Sequence, residues 1–316
     1  MGFTHSSVLL DEAIGALGIR GDGIYVDATF GRGGHSREIL RRLGEGGRLY
    51  AIDRDQDAVE AGRDIDDARF TMVYGRFSEL KRICREFGIL GKVDGLLMDI
   101  GVSSPQLDDP ERGFSFIKDG PLDMRMDKTS KTDARTVVNS YGQDELARIF
   151  REYGEERYAS RVAAAIVRER QKRKIETTLD LAAIVDGAVP FDKKSRKHKA
   201  TRVFQALRIE VNHELDELRE ALDASIEVLA DQGILAVISF HSLEDRMVKQ
   251  FMRTHSTIPE VPSGIPLTQE QLRERYGNRV LFGQVSPAIR AGAGEQAENI
   301  RSRSAVLRVA RRIKGD

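Results

Sequence analysis

A chain of 316 residues, 40% apolar and 32% charged, is long enough for one large domain or two modest ones and has the composition of an ordinary globular protein. Fifty Lys and Arg balance fifty Asp and Glu, so no global field marks a nucleic-acid-binding protein and any basic surface has to be local. Cys84 is the only cysteine, which excludes internal disulfides and every multi-cysteine zinc or iron–sulfur arrangement.

In chain order, short apolar runs at 24–26, 49–52, 70–74 and 96–98 alternate with helical patterns at 36–43 and 78–87. Strands separated by helices imply βαβ units and a parallel sheet. From about 109 to 212 only helical patterns follow. Residues 143–153 carry Leu146, Ile149, Phe150 and Tyr153 on one face, and 155–170 carry Tyr158, Val162 and Ile166. Thr177 with Asp180 reads as a capping box opening a further helix, which Gly187 and Pro190 would close. A stripe of Val211, Leu215, Leu218, Leu222, Ile226 and Leu229 then leads through Gly233 into the buried strand ILAVISF. A last strand at 305–310 precedes a basic tail. The sequence thus predicts one Rossmann-like α/β core, 1–108 plus 213–316, interrupted by an all-helical insertion at 109–212. The N-terminal MGFTHSSVLLDEAIGALG lacks a charged leader and a long apolar run, and residues 234–240 are too few to span a bilayer, so a cytoplasmic protein without a membrane partner is expected.

Where the first strand ends, the chain reads VDATFGRGGHSREIL, a glycine loop (Gly31, Gly33, Gly34) running into a helix. Glycine there lets a ligand approach the backbone, although a tight strand-to-helix turn needs it equally. Asp53, twenty residues past Gly33, stands where an acid accepts both hydroxyls of an adenosine ribose, or caps the helix DQDAVEAG. Phe77 after the third strand faces an adenine or packs in the core. Asp99 after the fourth lies where open sheets bind ligands. The loop departs from the dinucleotide G-x-G-x-x-G pattern, which favours S-adenosylmethionine, a cofactor without phosphates, over NAD.

On the acceptor side, VDGLLMDIGVSSPQLD sets Asp99 beside a Gly/Ser/Ser/Pro loop. An exocyclic amine of a nucleobase is a poor nucleophile, and an acceptor that draws its hydrogens out of the ring plane localises the lone pair. Asp99 is the candidate for that role, with anchoring of the cofactor's amino group as the equal alternative. In SFHSLEDR, His241 either positions the base, relays a proton or is structural. No paired spacing of histidines or cysteines indicates a metal site. Between Arg157 and Arg208 fourteen Lys or Arg face five acids, with Lys193, Lys194, Arg196 and Lys197 nearly contiguous, and Arg301, Arg303, Arg308, Arg311, Arg312 and Lys314 follow near the C-terminus. Two such clusters suit a phosphate backbone. Phe114, Phe116 and Phe204 are available to stack a splayed base or to fill a core.

At these residues the sequence resembles the bacterial RsmH (MraW) family of S-adenosylmethionine-dependent methyltransferases acting on 16S ribosomal RNA. HSSVLLDE, DATFGRGGHS, DGLLMDIGVSSPQLD, RGFSF with PLDMRMD, YGEERYASRVAAAIV, TRVFQALRIEVNHELDEL, VISFHSLEDRMVKQF and RSRSAVLRVARR resemble that family's blocks, in its order and over nearly the whole chain. The resemblance implies a class I methyltransferase core with an inserted helical domain that recognises RNA, and methylation of the exocyclic N4 amine of a cytidine in the decoding region of the small subunit. It also implies a cofactor pocket lined by Gly33, Gly34, His35, Asp53, Phe77, Asp99 and Gln106. Departures are small: Ser7, which follows Ser6, and Lys199 and Ile300 stand where the family pattern has proline. The partner so implied is 16S rRNA or the small ribosomal subunit, and a homodimer is compatible with the sequence. Two other readings are a ribosome-assembly factor that binds the cofactor without catalysis, and an NAD-dependent oxidoreductase.

Overall fold

The structure is a computed structural model that describes residues 7–191, 198–258, 271 and 280–313. Strands β1 (Ile24–Asp27), β2 (Arg48–Asp53), β3 (Phe70–Tyr74), β4 (Val93–Asp99), β5 (Leu229–Ser239), β6 (Phe282–Gly283) and β7 (Val306–Arg312) form one sheet in the order β3-β2-β1-β4-β5-β7-β6. The first five run parallel, while β7 is antiparallel to both β5 and β6. In chain order the helices are α1 (Leu10–Leu17), α2 (Gly34–Arg42), α3 (Gln56–Arg63), α4 (Leu80–Glu86), α5 (Ser104–Asp108) and α6 (Ala134–Ser140). There follow α7 (Gln143–Glu152), α8 (Ala159–Arg170), α9 (Thr178–Ala188), α10 (Thr201–Asn212), α11 (Glu214–Val228), α12 (Ser242–Ser256) and α13 (Ala293–Glu298).

The chain divides into two compact units, Met1–Gly101 with Asp216–Asp316, and Val102–Leu215. In the first unit the period of two along each strand sends alternate side chains to opposite faces, and both faces are covered. Val26, Leu96, Met98, Leu235 and Val237 bury one face together with Leu218, Leu222, Val248 and Met252. Tyr25, Leu49, Leu97, Ala236 and Ile238 bury the other with Leu9, Ile14, Ile39 and Leu40. Strands buried on both sides explain why these runs read as continuously apolar. The fold is a Rossmann-like α/β core.

The second unit has its own core, in which Leu146, Phe150, Val162, Ile166, Val185 and Leu207 are fully buried. Thr177 opens α9 by accepting from the Asp180 N–H at 3.2 Å, but the Asp180 carboxylate turns away to Arg173. Gly187 does not end this helix, which runs on to Ala188, because one glycine costs only about 1 kcal/mol. Pro190 disfavours helix at the residue before it, and the chain at Val189 is extended. The stripe from Val211 to Leu229 is likewise no single helix. His213 adopts φ 52°, a left-handed conformation that ends α10, so Val211 belongs to α10 and Leu229 to β5. Nor are the last arginines a tail: β7 continues through Arg312 and takes in Arg308 and Arg311.

Candidate active site

The strand order reverses between β1 and β4, and in open α/β sheets ligands bind at the carboxyl ends of the strands beside that reversal. The loop leaving β1 is stitched to both neighbouring strands: Ala28 N–H donates to the Leu97 carbonyl at 2.9 Å and Phe30 N–H to that of Ile52 at 3.0 Å. Gly33, at φ 75°, precedes α2. A β-carbon on it would lie 2.5 Å from the buried Phe30 ring, and one on Gly34 would lie 1.9 Å from Ser7 Oγ. Both positions therefore require glycine because Phe30 and Ser7 already fill the space a β-carbon would take, a packing need of the loop itself.

Asp53 ends β2 and is tied into the same loop. Its Oδ2 accepts from Gly31 N–H and its Oδ1 from Asp55 N–H, each at 2.8 Å, while its carbonyl accepts from Gly75 N–H at 3.0 Å. The cap of α3 is Asp55, whose carboxylate accepts from Asp57 N–H, so Asp53 is not needed for that purpose. Burial pushes the Asp53 carboxyl up to about 6 even though the two backbone donors pull the other way. Each carboxylate oxygen keeps a second lone pair, enough to accept a pair of ribose hydroxyls. Phe77 opens the short turn Phe77–Glu79 just beyond Gly75 and is half-buried, with part of its ring packed on the core. The Gly75–Asp53 bond thus holds the phenyl ring's loop beside the ribose-type acid.

His35, the second residue of α2, is buried, and its Nε2 lies 3.1 Å from the Val8 carbonyl. That contact fixes the proton on Nε2 and leaves Nδ1 as an acceptor, 3.7 Å from Asp99 Oδ2. Burial holds His35 down to about 4 and pushes Asp99 well above the carboxylate range, with Asp27 and Glu244 adding repulsion. The two meet as neutral groups rather than as an ion pair. Asp99 Oδ1 is buried and has no hydrogen-bond partner among the described residues. Such an atom carries a cost that a donor brought by a ligand would remove.

Beneath this pair lies a polar layer that sequence reading did not single out. The buried Asp27 accepts from Ser36 Oγ at 2.6 Å and from Thr29 N–H at 3.2 Å, while Thr29 Oγ1 accepts from Asp99 N–H at 2.6 Å. The block DATFGRGGHS holds all but Asp99, and its alternation of small polar residues with glycine was the available signal. His241 is the N-cap of α12: its Nδ1 faces Glu244 N–H at 3.4 Å, and its Nε2 lies 2.9 Å from Glu244 Oε1. The fully buried Glu244 in turn accepts from Phe240 N–H at 2.8 Å and His241 N–H at 3.2 Å. His241 therefore has a positioning task at the turn after β5.

Gln106 belongs to the second unit, where it is buried in α5 and accepts from Ser103 N–H at 2.9 Å in a capping box. In the same unit Phe114 and Phe204 are core residues, and the half-buried Phe116 lies edge-on to Phe204 at 4.7 Å and 4.8 Å from the His198 ring. Lys193, Lys194, Arg196 and Lys197 lie outside the described residues, as does Lys314.

A family model described as the MraW methylase family matches residues 2–313. The chain belongs to the MraW methylase family. Among solved structures it is similar to an rRNA methylase from Streptococcus thermophilus, at 11% identity and a TM-score of 0.40, over 98% of this chain and 100% of that one. It is also similar to NSun6 from Pyrococcus horikoshii, solved with SFG, at 13% identity and a TM-score of 0.42, over 99% of this chain and 53% of that one. A SAM-dependent O-methyltransferase from Thermotoga maritima matches at 9% identity and a TM-score of 0.40, over 96% of this chain and 64% of that one. As an MraW methylase the chain is a methyltransferase whose cofactor is S-adenosylmethionine. The residues present suit that ligand: a ribose-type acid at Asp53 and a buried Asp99 oxygen with no hydrogen-bond partner among the described residues. No helix among the described residues is long and apolar enough to cross a membrane.

Proposed function

We propose that this MraW methylase transfers a methyl group from S-adenosylmethionine to the exocyclic N4 amine of a cytidine in the decoding region of 16S ribosomal RNA. The observation that carries the reading is Asp99 Oδ1, a buried acceptor with no partner among the described residues, next to His35 of the helix that follows the glycine loop. Bound, the cofactor supplies an electrophilic methyl carbon on a positively charged sulfur. Gly33, Gly34 and His35 would line its backbone side, Asp53 would take its ribose hydroxyls, and Phe77 would complete the pocket within the first unit. A cation beside Asp99 favours the carboxylate over the acid. As a carboxylate, Asp99 has oxygens free both to anchor an amino group and to draw an amine hydrogen out of the base plane, which returns the nitrogen lone pair to the attacking direction. With the cofactor bound, these residues would hold the amine nitrogen in line with the methyl carbon that the cofactor supplies. Holding the two partners in line is worth on the order of 7 to 11 kcal/mol. His241 contributes by fixing Glu244 and the start of α12.

The test is incubation with labelled methyl donor and unmodified small subunits, followed by digestion and mass spectrometry of the nucleosides. Label in N4-methylcytidine is expected, and label in another nucleoside, or none, rejects the proposal. Asp99→Ala separates catalysis from assembly: the variant is expected to keep RNA affinity and lose methyl transfer.

A further inference from the structure

A second charged concavity lies in the first unit, on the flank of α12. Lys249, Met252, Arg253 and Ser256 recur at spacings of three, one and three, so they share one face of that helix. Val285 and Arg308 close the opposite wall of a cavity of about 250 Å³. That volume is below the usual range of about 300 to 1,000 Å³ for small-molecule sites, and it is open enough for part of a chain to lie across it. Met252 forms a buried apolar floor, while Lys249 and Arg253 are exposed and form no ion pair among the described residues. Arg308 is oriented by Asp245, whose carboxylate accepts from its Nε at 2.7 Å and its Nη2 at 3.1 Å. Three cations thus line the cleft and a single carboxylate offsets one of them.

Two unpaired cations one helical turn apart, about 6 Å along the axis, over an apolar floor are suited to an anion attached to a sugar. Long exposed stems bind phosphate by releasing counterions, without the enclosing backbone N–H groups that hold a small free anion. Helix α12 starts at the sheet's carboxyl edge, directly after the His241 cap, and Lys249 and Arg253 follow about two and three turns along it, so the cleft lies on the path that leads away from that edge. Resting on the RNA-methylation reading above, we propose that the cleft of Lys249, Arg253, Ser256 and Arg308 binds a backbone phosphate of the substrate RNA as the strand leaves the active site.

The test compares wild type with Lys249→Ala/Arg253→Ala in binding to a transcript of small-subunit ribosomal RNA across a salt series, with calorimetry of S-adenosylmethionine and of inorganic phosphate alongside. The double variant is expected to bind RNA at least tenfold more weakly at about 150 mM salt, with a log–log salt slope shallower by about 1 to 2. Its cofactor affinity stays at the wild-type value, Lys249→Arg/Arg253→Lys restores RNA affinity, and inorganic phosphate does not bind. Wild-type RNA affinity and slope in the double variant overturn the proposal and leave the methylation reading standing. Saturable binding of inorganic phosphate, lost in the variant while RNA binding persists, assigns the cleft to a free anion and also overturns it. A wild-type protein that binds no RNA removes the reading and the inference together. Should the alanine variant misfold, seen as lost cofactor affinity, Lys249→Met/Arg253→Gln keeps the stems and carries the same comparison.

Discussion

Burial pushes three carboxyl groups at the ends of β1, β2 and β4 upward: Asp27 and Asp53 to about 6, and Asp99 well above the ordinary carboxylate range. For Asp27 the consequence is a defined pH dependence. The folded state binds its proton more tightly than the unfolded chain does, so its contribution is greatest below about pH 4 and is lost as pH rises to about 6, an amplitude of about 3 kcal/mol. The stability of wild type minus that of Asp27→Asn, from denaturant unfolding, is therefore expected to fall between pH 4 and 6 and stay flat above; a rise over that range contradicts the assignment. Asp53 makes a different prediction. Charged hydrogen bonds contribute about 1.5 to 3 kcal/mol, so Asp53→Ala is expected to weaken S-adenosylmethionine binding on the order of 10- to 100-fold in calorimetry. Wild-type affinity in that variant removes the residue from the pocket.

Within the helical unit, Asn212 ties α10 to the loop before α6. Its Oδ1 accepts from Met126 N–H at 2.8 Å, and its Nδ2 donates to the carbonyls of Met124 at 2.8 Å and Arg208 at 2.9 Å. Met124 sits at φ 64°, a strained conformation for its side chain that these bonds help to hold. Asn212→Ala is expected to cost about 1 to 3 kcal/mol, read as a lower Tm, and an unchanged Tm would show the loop to be held otherwise. What the sequence makes legible and what it hides divide at this scale. Apolar runs marked β1 to β5 and β7 because period and burial act over neighbouring residues, and Thr177 was legible as a cap for the same reason. The two-residue β6 has too little length for a period, and the left-handed turn at His213 has no local marker. In the site, the order of strand ends placed Asp53 and Asp99 correctly at the carboxyl edge, whereas the Val8–His35 contact and the Asp27–Ser36 pair join residues whose neighbourhood only the fold creates.

At the scale of the molecule, balanced charge conceals local pairing. Of the cations between Arg157 and Arg208, Arg168 and Lys172 meet Glu169, Arg173 meets Asp180, and Arg208 holds Glu214 by two bonds of 2.7 Å. Glu169 and Asp180 are already among the five acids counted there, so of these pairs only Arg208–Glu214 draws on the surplus. The helical unit also encloses a contiguous core of its own, and residues 102–215 exceed the roughly 60 residues at which domains become self-sufficient. Expressed alone, the segment is expected to melt cooperatively by circular dichroism; a sloping, featureless melt would show that its core depends on the rest of the chain. The antiparallel pairing of β7 with β5 has a consequence for the order of assembly. Ser239 pairs with Val306, more than sixty residues later, so at about 5 to 20 residues per second the outer edge of β5 waits on the order of 3 to 15 seconds for its partner during synthesis. Throughout that interval a long apolar strand offers its hydrogen bonds to whatever is near, which makes the nascent chain, more than the finished enzyme, the form in greatest need of protection from aggregation.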